Sequence, residues 1–127
     1  MVDSFLPDTN VLIYALKGIE PYSSWFKKNI QEKNLKISVI VVAEFLQGAT
    51  KEDEIILRLL LDNFGCWSVD RKVAEAGASY KKSFAMKTKK VWMSDCLIAA
   101  TCKVFGATLV TADKKDYPMK DISILKL

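Results

Sequence analysis

Short apolar runs typical of β-strands alternate along this chain with longer segments whose apolar residues recur at helical spacing. The strand candidates are residues 4–6, 36–38, 67–69, 107–110 and 122–125. The helix candidates are residues 9–16, a segment that opens at Pro21, residues 41–48 and 51–64, a segment capped by Asp70, and residues 93–105. Strands that alternate with helices form parallel sheets with helices on both faces. The sequence therefore predicts a three-layer α/β/α sandwich around a central parallel sheet of four to five short strands.

The length of the chain indicates one domain, covering residues 1–127, with enough residues to bury a core. Its longest apolar stretches are interrupted by Glu44 and Lys103. No stretch reaches the roughly 18 apolar residues of a membrane helix, so we expect no membrane span. The first residues lack the basic and apolar regions of a signal peptide, so we expect a cytoplasmic protein.

Cysteine and histidine usage narrows the possible chemistry. The three cysteines, Cys66, Cys96 and Cys102, show no Cys-x-x-Cys spacing. We therefore expect reduced core residues and neither a disulfide framework nor a zinc site. The chain has no histidine, which removes the usual general base and the commonest metal ligand. Any catalysis must use other groups, chiefly carboxylates and lysines.

Acidic residues lie where an α/β sheet binds its ligands, at the carboxyl ends of the strands. Asp8 follows the first strand candidate, and Glu44 lies one turn into the helix after the second. Asp95 opens the last helix candidate. Asp113 follows the fourth strand candidate, and Asp116 comes one turn later. Four or five carboxylates are therefore expected near one edge of the sheet.

Most of these acids also have a purely structural explanation. Asp8 can cap the helix that follows it. Asp95 can interact with the dipole of its helix behind a Ser94 cap. Asp113 and Asp116 can be ordinary turn residues. Taken one at a time, these acids do not establish a functional site.

Glu44 is harder to explain in this way, because its neighbours leave the helix almost no polar face. We expect its carboxylate to be at least partly buried, in the most apolar surroundings of the candidate acids. A buried carboxylate needs a cation or a proton. A Lys from elsewhere in the fold is one solution, and a metal ion is the simpler one. Oxygen ligands without His or Cys select hard cations such as Mg²⁺ or Mn²⁺.

The charge balance of the chain indicates the kind of substrate. The formal net charge is +4, and 19 basic residues face only 11 acids once the four candidate ligands are set aside. Mg²⁺ sites commonly bind phosphate oxygens of the substrate. A basic surface around an acidic site therefore favours a phosphodiester substrate.

Four segments of the chain resemble, in order and spacing, the motifs of PIN-domain nucleases. They are residues 8–10, 38–48, 94–101 and 111–113. The chain length and the Asp-Cys-Leu-Ile-Ala-Ala-Thr stretch from Asp95 most resemble the small VapC-type toxins of bacteria and archaea. The resemblance covers essentially the whole chain, and the ordered set of motifs is much more specific than any one of them.

This resemblance implies a magnesium-dependent endoribonuclease, usually a homodimer, that is silenced by a cognate antitoxin protein. Matched position by position, the family's catalytic, metal-binding acids are expected at Asp8, Glu44, Asp95 and Asp113. Asp116 is a rival for the fourth place as a metal ligand. Asn10 and Thr111 match the polar residues that support the acids.

A lysine-rich segment is a candidate RNA contact. Lys87, Lys89 and Lys90, followed by Trp92, are suited to hold an RNA backbone and stack a base. The alternative is a solvated Lys face beside a Trp of the core.

The early aromatic residues bear on the oligomeric state. We interpret Trp25 and Phe26 as core or protein-interface residues. Together with the mean hydropathy of +0.10, which is high for a small monomer, they favour a homodimer formed through apolar helix faces.

Two other functions stay open at this point. The chain could be an α/β phosphoryl-transfer enzyme with Asp8 as nucleophile, although such phosphatases usually have a second acid two residues later, where this chain has Asn10. It could also be a non-catalytic PIN-like module that binds RNA or protein, which would not need the set of acids.

Overall fold

The computed structural model describes residues 3–85 and 91–127. In this part of the chain it has three β-strands, six α-helices and a 3-10 turn. In chain order they are β1 (Phe5–Pro7), α1 (Thr9–Leu16), α2 (Tyr22–Gln31), α3 (Val39–Gln47), α4 (Lys51–Phe64), α5 (Arg71–Phe84), α6 (Met93–Phe105), β2 (Thr108–Thr111), the 3-10 turn Lys114–Asp116 and β3 (Ile124–Lys126).

The three strands form a parallel sheet in the order β1-β2-β3. Leu6 pairs with Leu109, which in turn pairs with Ile124. The residues on either side of the sheet are buried: Leu109 and Val110 are neighbours in β2 and both are fully inaccessible to solvent. Adjacent strand residues point to opposite faces, so the helices cover both faces of the sheet. This confirms the predicted three-layer sandwich.

The second and third strand candidates do not form regular strands, which corrects the predicted strand count. The second is joined to β1 by one parallel bridge, between Phe5 and Leu35, directly before its predicted start, and the third is joined to the second by one parallel bridge, between Ser38 and Trp67. The extended segment is too short for a ladder because α3 begins at Val39, directly after the second bridge. With the bridges included, five segments lie side by side, with the third candidate at one edge, then the second, then β1, β2 and β3.

The order of these segments reverses direction between β1 and β2. The chain first builds the sheet outward from β1 on one side, and then returns through α6 to place β2 on the other side. Parallel sheets of this kind have a crevice at such a reversal, outside the carboxyl ends of the two strands. Asp8 directly follows β1 and Thr111 ends β2, so both lie at this crevice.

Short polar side chains begin most of the helices by accepting a backbone hydrogen bond from the first turn. The acceptors are Asp8 for α1, Ser38 for α3, Thr50 for α4 and Asp70 for α5. Helix α6 begins differently, with Trp92 at the N-cap position and no side-chain cap. The predicted Ser94 cap is therefore wrong, because Ser94 already lies in the first helical turn.

Close packing of α5 on α6 fixes the helix that carries Asp95. A Cβ atom added at Gly77 of α5 would lie 2.7 Å from Cδ2 of Leu97 in α6. Only a glycine allows the two helices this approach without displacing Leu97. The helix that carries Asp95 is thus packed closely against α5.

The cysteines only partly follow the expectation of core residues. All three are free thiols; Cys96 and Cys102 are buried and Cys66 is exposed. Cys66 lies directly before the edge bridge of the sheet, where the chain leaves α4 and meets solvent.

The aromatic residues of α2 belong to the core of this chain. Phe26 is buried, and the ring of Trp25 packs edge-on against Phe5 with 6.1 Å between ring centroids. Phe26 is thus withdrawn from the surface, and Trp25 is partly exposed. Large apolar side chains are exposed instead on α4, where Ile55 and Leu59 are 60% and 58% accessible.

None of the helices in residues 3–85 and 91–127 combines the length and the apolar composition needed to cross a membrane.

Candidate active site

A cavity of about 240 Å³ lies at the carboxyl ends of β1 and β2 and contains four acids. Its lining residues are Asp8, Thr9, Asn10, Ile13, Glu44, Gln47, Asp95, Asp116 and Tyr117. A larger cavity of about 580 Å³ lies between α2 and α4, but its lining of apolar, Lys and Asn side chains includes no acid. The chemistry therefore belongs to the smaller cavity.

Asp8 is the most deeply buried of the acids, with 5% of its surface accessible. Its Oδ1 accepts a hydrogen bond from the backbone N–H of Val11 at 3.0 Å, and its Oδ2 accepts one from the hydroxyl of Thr111 at 2.8 Å. Burial raises the pKa of Asp8 above its ordinary value, although these hydrogen bonds oppose the rise. Asp8 is both the helix cap and a cavity residue, so the structural and functional explanations are compatible.

Glu44 is partly buried, as predicted, and its Oε1 accepts a hydrogen bond of 2.6 Å from the hydroxyl of Thr9. Glu44 is less deeply buried than Asp8. Glu44 lies on the side of α3 that opens to the cavity, between the exposed residues Ala43 and Gln47. Among the described residues, no Lys or Arg forms an ion pair with Glu44.

Tyr117 connects two of the acids and was missed by the sequence analysis. Its hydroxyl lies 3.4 Å from Oδ2 of Asp8 and 3.4 Å from Oδ1 of Asp95, and its side chain is buried. The sequence signal for Tyr117 is its place directly after the candidate acid Asp116, which the structure shows to be the end of the 3-10 turn. A hydroxyl has one proton, so it can donate to only one of these two carboxylates at a time.

The carboxylates are close enough to affect one another. The pKa of Asp95 is raised from 3.8 to about 6, first by burial and then by the negative charges of Asp116, Glu44 and Asp8. The Tyr117 hydroxyl partly opposes this rise. Four acids from distant parts of the sequence thus share one electrostatic environment, which a bound cation would stabilise.

The structure places Asp116, and not Asp113, in the cavity beside the other three acids. Asp116 is partly buried and lines the cavity. Asp113 is exposed, and its Oδ1 accepts a hydrogen bond from the backbone N–H of Lys115 at 2.9 Å, which caps the 3-10 turn. The turn carries the chain from the strand end back over the crevice, so the acid one turn later faces the cavity. The position of the two side chains therefore favours Asp116 over Asp113 as the fourth acid of the site.

The remaining site candidates have different positions. Asn10 lines the cavity, and Thr111 supports Asp8 from β2, fully buried. The three predicted RNA contacts Lys87, Lys89 and Lys90 lie outside the described residues. Trp92, which follows them, is 59% exposed, so its interpretation as a core residue is wrong.

A search against protein-family models matches the PIN domain over residues 5–123, nearly the whole chain. This chain belongs to the PIN-domain family. A curated relative from Mycobacterium tuberculosis, Ribonuclease VapC10, is 26% identical over 114 residues, which are 90% of this chain and 86% of that protein.

Solved structures share the fold of this PIN domain. VapBC2 from Rickettsia felis bound to a promoter DNA fragment gives a TM-score of 0.82 at 22% identity, over 97% of this chain and 98% of the other. DNA-bound VapBC from Salmonella typhimurium gives 0.80 at 20% identity, over 98% of both chains. At these identities the similarity establishes the three-layer fold.

The acids in the cavity of this PIN domain fit a hard cation that is bound by only a few protein side chains. Within residues 3–85 and 91–127, no three acids or cysteines stand close enough to enclose a metal ion by themselves. Mg²⁺ does not need such an enclosure, because it keeps several waters and binds through one or two carboxylates plus substrate phosphates. After burial, the negative charges of neighbouring acids in the cavity raise the pKa of Asp95 further, and the available metal-binding atoms are carboxylate and amide oxygens. These residues therefore fit Mg²⁺ or Mn²⁺ better than Zn²⁺.

The pKa of Asp95 predicts an unusual dependence of stability on pH. An acid whose pKa is higher in the folded chain stabilises the fold below its unfolded pKa of 3.8, and this contribution is lost as the pH rises through about 6. Asp95→Asn removes this titration. In metal-free buffer the variant should therefore melt near the wild-type temperature at pH 4 and above it at pH 7.5, as measured by circular dichroism.

The control for this comparison is Asp62→Asn, which removes one exposed carboxylate on α4 that does not line the cavity. A melting difference between Asp95→Asn and wild type that stays constant from pH 4 to pH 7.5 contradicts the assigned environment of Asp95.

Proposed function

We propose that this PIN domain is a metal-dependent endoribonuclease that hydrolyses RNA phosphodiester bonds. The observation that carries the proposal is the convergence of Asp8, Glu44, Asp95 and Asp116 in one cavity at the carboxyl end of the sheet, in a chain without histidine. The curated relative from M. tuberculosis is named a ribonuclease, which supports RNA as the substrate. The surplus of basic residues outside the cavity also favours a polyanion.

One or two of the four acids would hold Mg²⁺, or Mn²⁺ in its place, beside the scissile phosphate. When bound, such an ion supplies a Lewis acid and lowers the pKa of water. Asp8 is held rigidly for this task by Val11 and Thr111, and Thr9 fixes one oxygen of Glu44. Because no histidine is present to activate the RNA 2′-hydroxyl, we expect water to attack and to leave a 5′-phosphate and a 3′-hydroxyl.

We further propose that the chain is the toxin of a toxin-antitoxin pair and that a cognate antitoxin protein binds it. The support is the fold shared with chains solved as VapBC assemblies, together with the relative named VapC10. A homodimer stays a prediction. The exposed apolar residues of α4 are better placed to make contacts with another chain than Phe26, which is buried, and Trp25, which is partly buried.

Metal dependence of RNA cleavage tests the proposed function. The purified chain should cleave an unpaired RNA in Mg²⁺ or Mn²⁺ and lose this activity in EDTA, with recovery when the metal is restored, because the carboxylates alone cannot neutralise the charge of the reacting phosphate. The measurement is the rate of product formation on a labelled oligonucleotide.

Cleavage that continues in metal-free buffer contradicts this mechanism. A chain that binds RNA without cutting it under any metal condition is instead the non-catalytic module.

A further inference from the structure

A second cavity of about 250 Å³ continues the acidic cavity along α1 and α3. The two cavities share Ile13, Glu44 and Gln47 in their linings. They therefore form one groove, which starts at the carboxylates and extends toward the beginning of α4. We call the part beyond Gln47, lined by Leu16, Phe45, Gly48 and Ala49, the α1–α3 groove.

We infer that the α1–α3 groove holds the nucleobase of the RNA nucleotide next to the scissile phosphate. This inference rests on the proposed function and adds a part of its substrate site. An RNA strand whose phosphate lies at the carboxylates must continue along the surface from that point. The α1–α3 groove begins at Glu44 and Gln47, so the neighbouring nucleotide reaches it first.

The walls of the groove suit the faces of a base. Leu16 and Ala49 are partly buried and pack against the hydrophobic core, and Phe45 belongs to it. Such walls are fixed in position by the core and offer apolar contact to a flat ring. The amide of Gln47 is exposed at the junction of the two cavities and can both donate to and accept from a base edge.

The charges at the far rim of the groove favour a base over a second phosphate. Lys17 and Asp53 both line this cavity and carry opposite charges. Together with Glu44 at the near end, they give the groove no excess of positive charge. An uncharged nucleobase fits these surroundings better than a phosphate does.

The geometry also sets a requirement on the RNA. A base that is stacked and paired in a duplex cannot enter a concave groove, so the nucleotide beside the cut must be unpaired. A segment of a partner protein is the competing occupant, and the experiment separates the two.

Gly48 allows the groove to be filled without disturbing the core. Its backbone φ is −119°, which other residues adopt readily, and a Cβ atom added there meets nothing within 4 Å. Gly48→Phe should raise KM for cleavage of an unpaired RNA about tenfold or more, the effect of losing one stacked base, with kcat close to wild type. Gln47→Ala should raise KM in the same direction by a smaller factor.

Two matched variants control for surface changes elsewhere. Ala78→Phe adds the same ring on an exposed position of α5, and Gln31→Ala removes an exposed Gln from the last residue of α2, as Gln47 is the last residue of α3. Neither residue lines either cavity, so both variants should keep the wild-type KM.

A series of RNAs with one abasic nucleotide, stepped across the mapped cut, tests the occupant directly. Removal of the base at one position should raise the wild-type KM by about the factor that Gly48→Phe causes on intact RNA. On that abasic RNA, Gly48→Phe and wild type should have the same KM. An unchanged KM in Gly48→Phe, or a penalty that persists on every abasic RNA, overturns the inference and leaves the groove to a protein segment.

Two further outcomes keep the inference separate from the proposed function. If Gly48→Phe melts well below wild type, Gln47→Ala replaces it in the test, and its KM on the intact and abasic RNAs is judged in the same way. Absence of any cleavage by the wild type contradicts the proposed function, and the assignment of the groove is then wrong with it.

Discussion

Asp8→Asn and Asp95→Asn are each expected to lower kcat for RNA cleavage by about a hundredfold or more, as expected when a charge that organises the transition state is removed. Both substitutions preserve the size of the side chain, but each replaces one carboxylate oxygen by an NH2 group, which cannot accept the hydrogen bonds that Thr111 or Tyr117 donates to these acids. Asn caps helices as well as Asp does, so Asp8→Asn can still accept the hydrogen bond from Val11 and keep the start of α1. The loss is therefore assigned to charge and not to unfolding. Steady-state rates on one RNA substrate measure it.

Asp70→Asn is the matched control for this prediction. Asp70 caps α5 through the same kind of hydrogen bond, to the backbone N–H of Val73 at 2.9 Å, but it lies outside the acidic cavity. Its substitution should leave kcat unchanged. Near-normal turnover in both Asp8→Asn and Asp95→Asn would reduce these residues to structural roles, a cap and a first-turn acid.

Asp116→Asn is expected to lower kcat by about a hundredfold as well, while Asp113→Asn stays near wild type. Asp116 lines the cavity, and its charge contributes to the raised pKa of Asp95. Asp113 only caps the 3-10 turn, a task that Asn also performs. The same steady-state assay on the two variants, each checked for wild-type melting, measures the difference.

This expectation reverses the order that the sequence alone favours, in which the acid directly after β2 is the fourth ligand. A larger loss of kcat in Asp113→Asn than in Asp116→Asn would restore Asp113 to the fourth place. It would also mean that the 3-10 turn changes position when metal and RNA bind.

Most of the fold could be predicted from the sequence because local signals agree with the tertiary structure. The predicted bounds of α4 and α6 match the structure, and Thr50 caps α4 as expected. The second and third segments were predicted as strands because apolar residues, Ile37, Trp67 and Val69, alternate there with polar ones. Sequence patterns do not show how soon the next helix starts, and the helix start at Val39 limits the second segment to one bridge with each of its two neighbours.

The site was predictable in part, for a physical reason. The acid that follows β1 lies at the carboxyl edge of the parallel sheet, and this places Asp8 in the cavity. Asp95 reaches the same cavity from the first turn of α6. The orientation of a side chain within a tight turn depends on backbone angles that the sequence does not display, which is why Asp113 and Asp116 could not be separated. The contact of Tyr117 with Asp8 and Asp95 also depends on that turn.

The chemical nature of the cleaved ends tests the central claim most directly. A short unpaired RNA is incubated with the chain in Mg²⁺, and the products are identified by mass spectrometry. Hydrolysis by water in the carboxylate cavity predicts fragments with a 5′-phosphate and a 3′-hydroxyl. Fragments with a 2′,3′-cyclic phosphate and a 5′-hydroxyl would show attack by the RNA 2′-hydroxyl and would contradict the account.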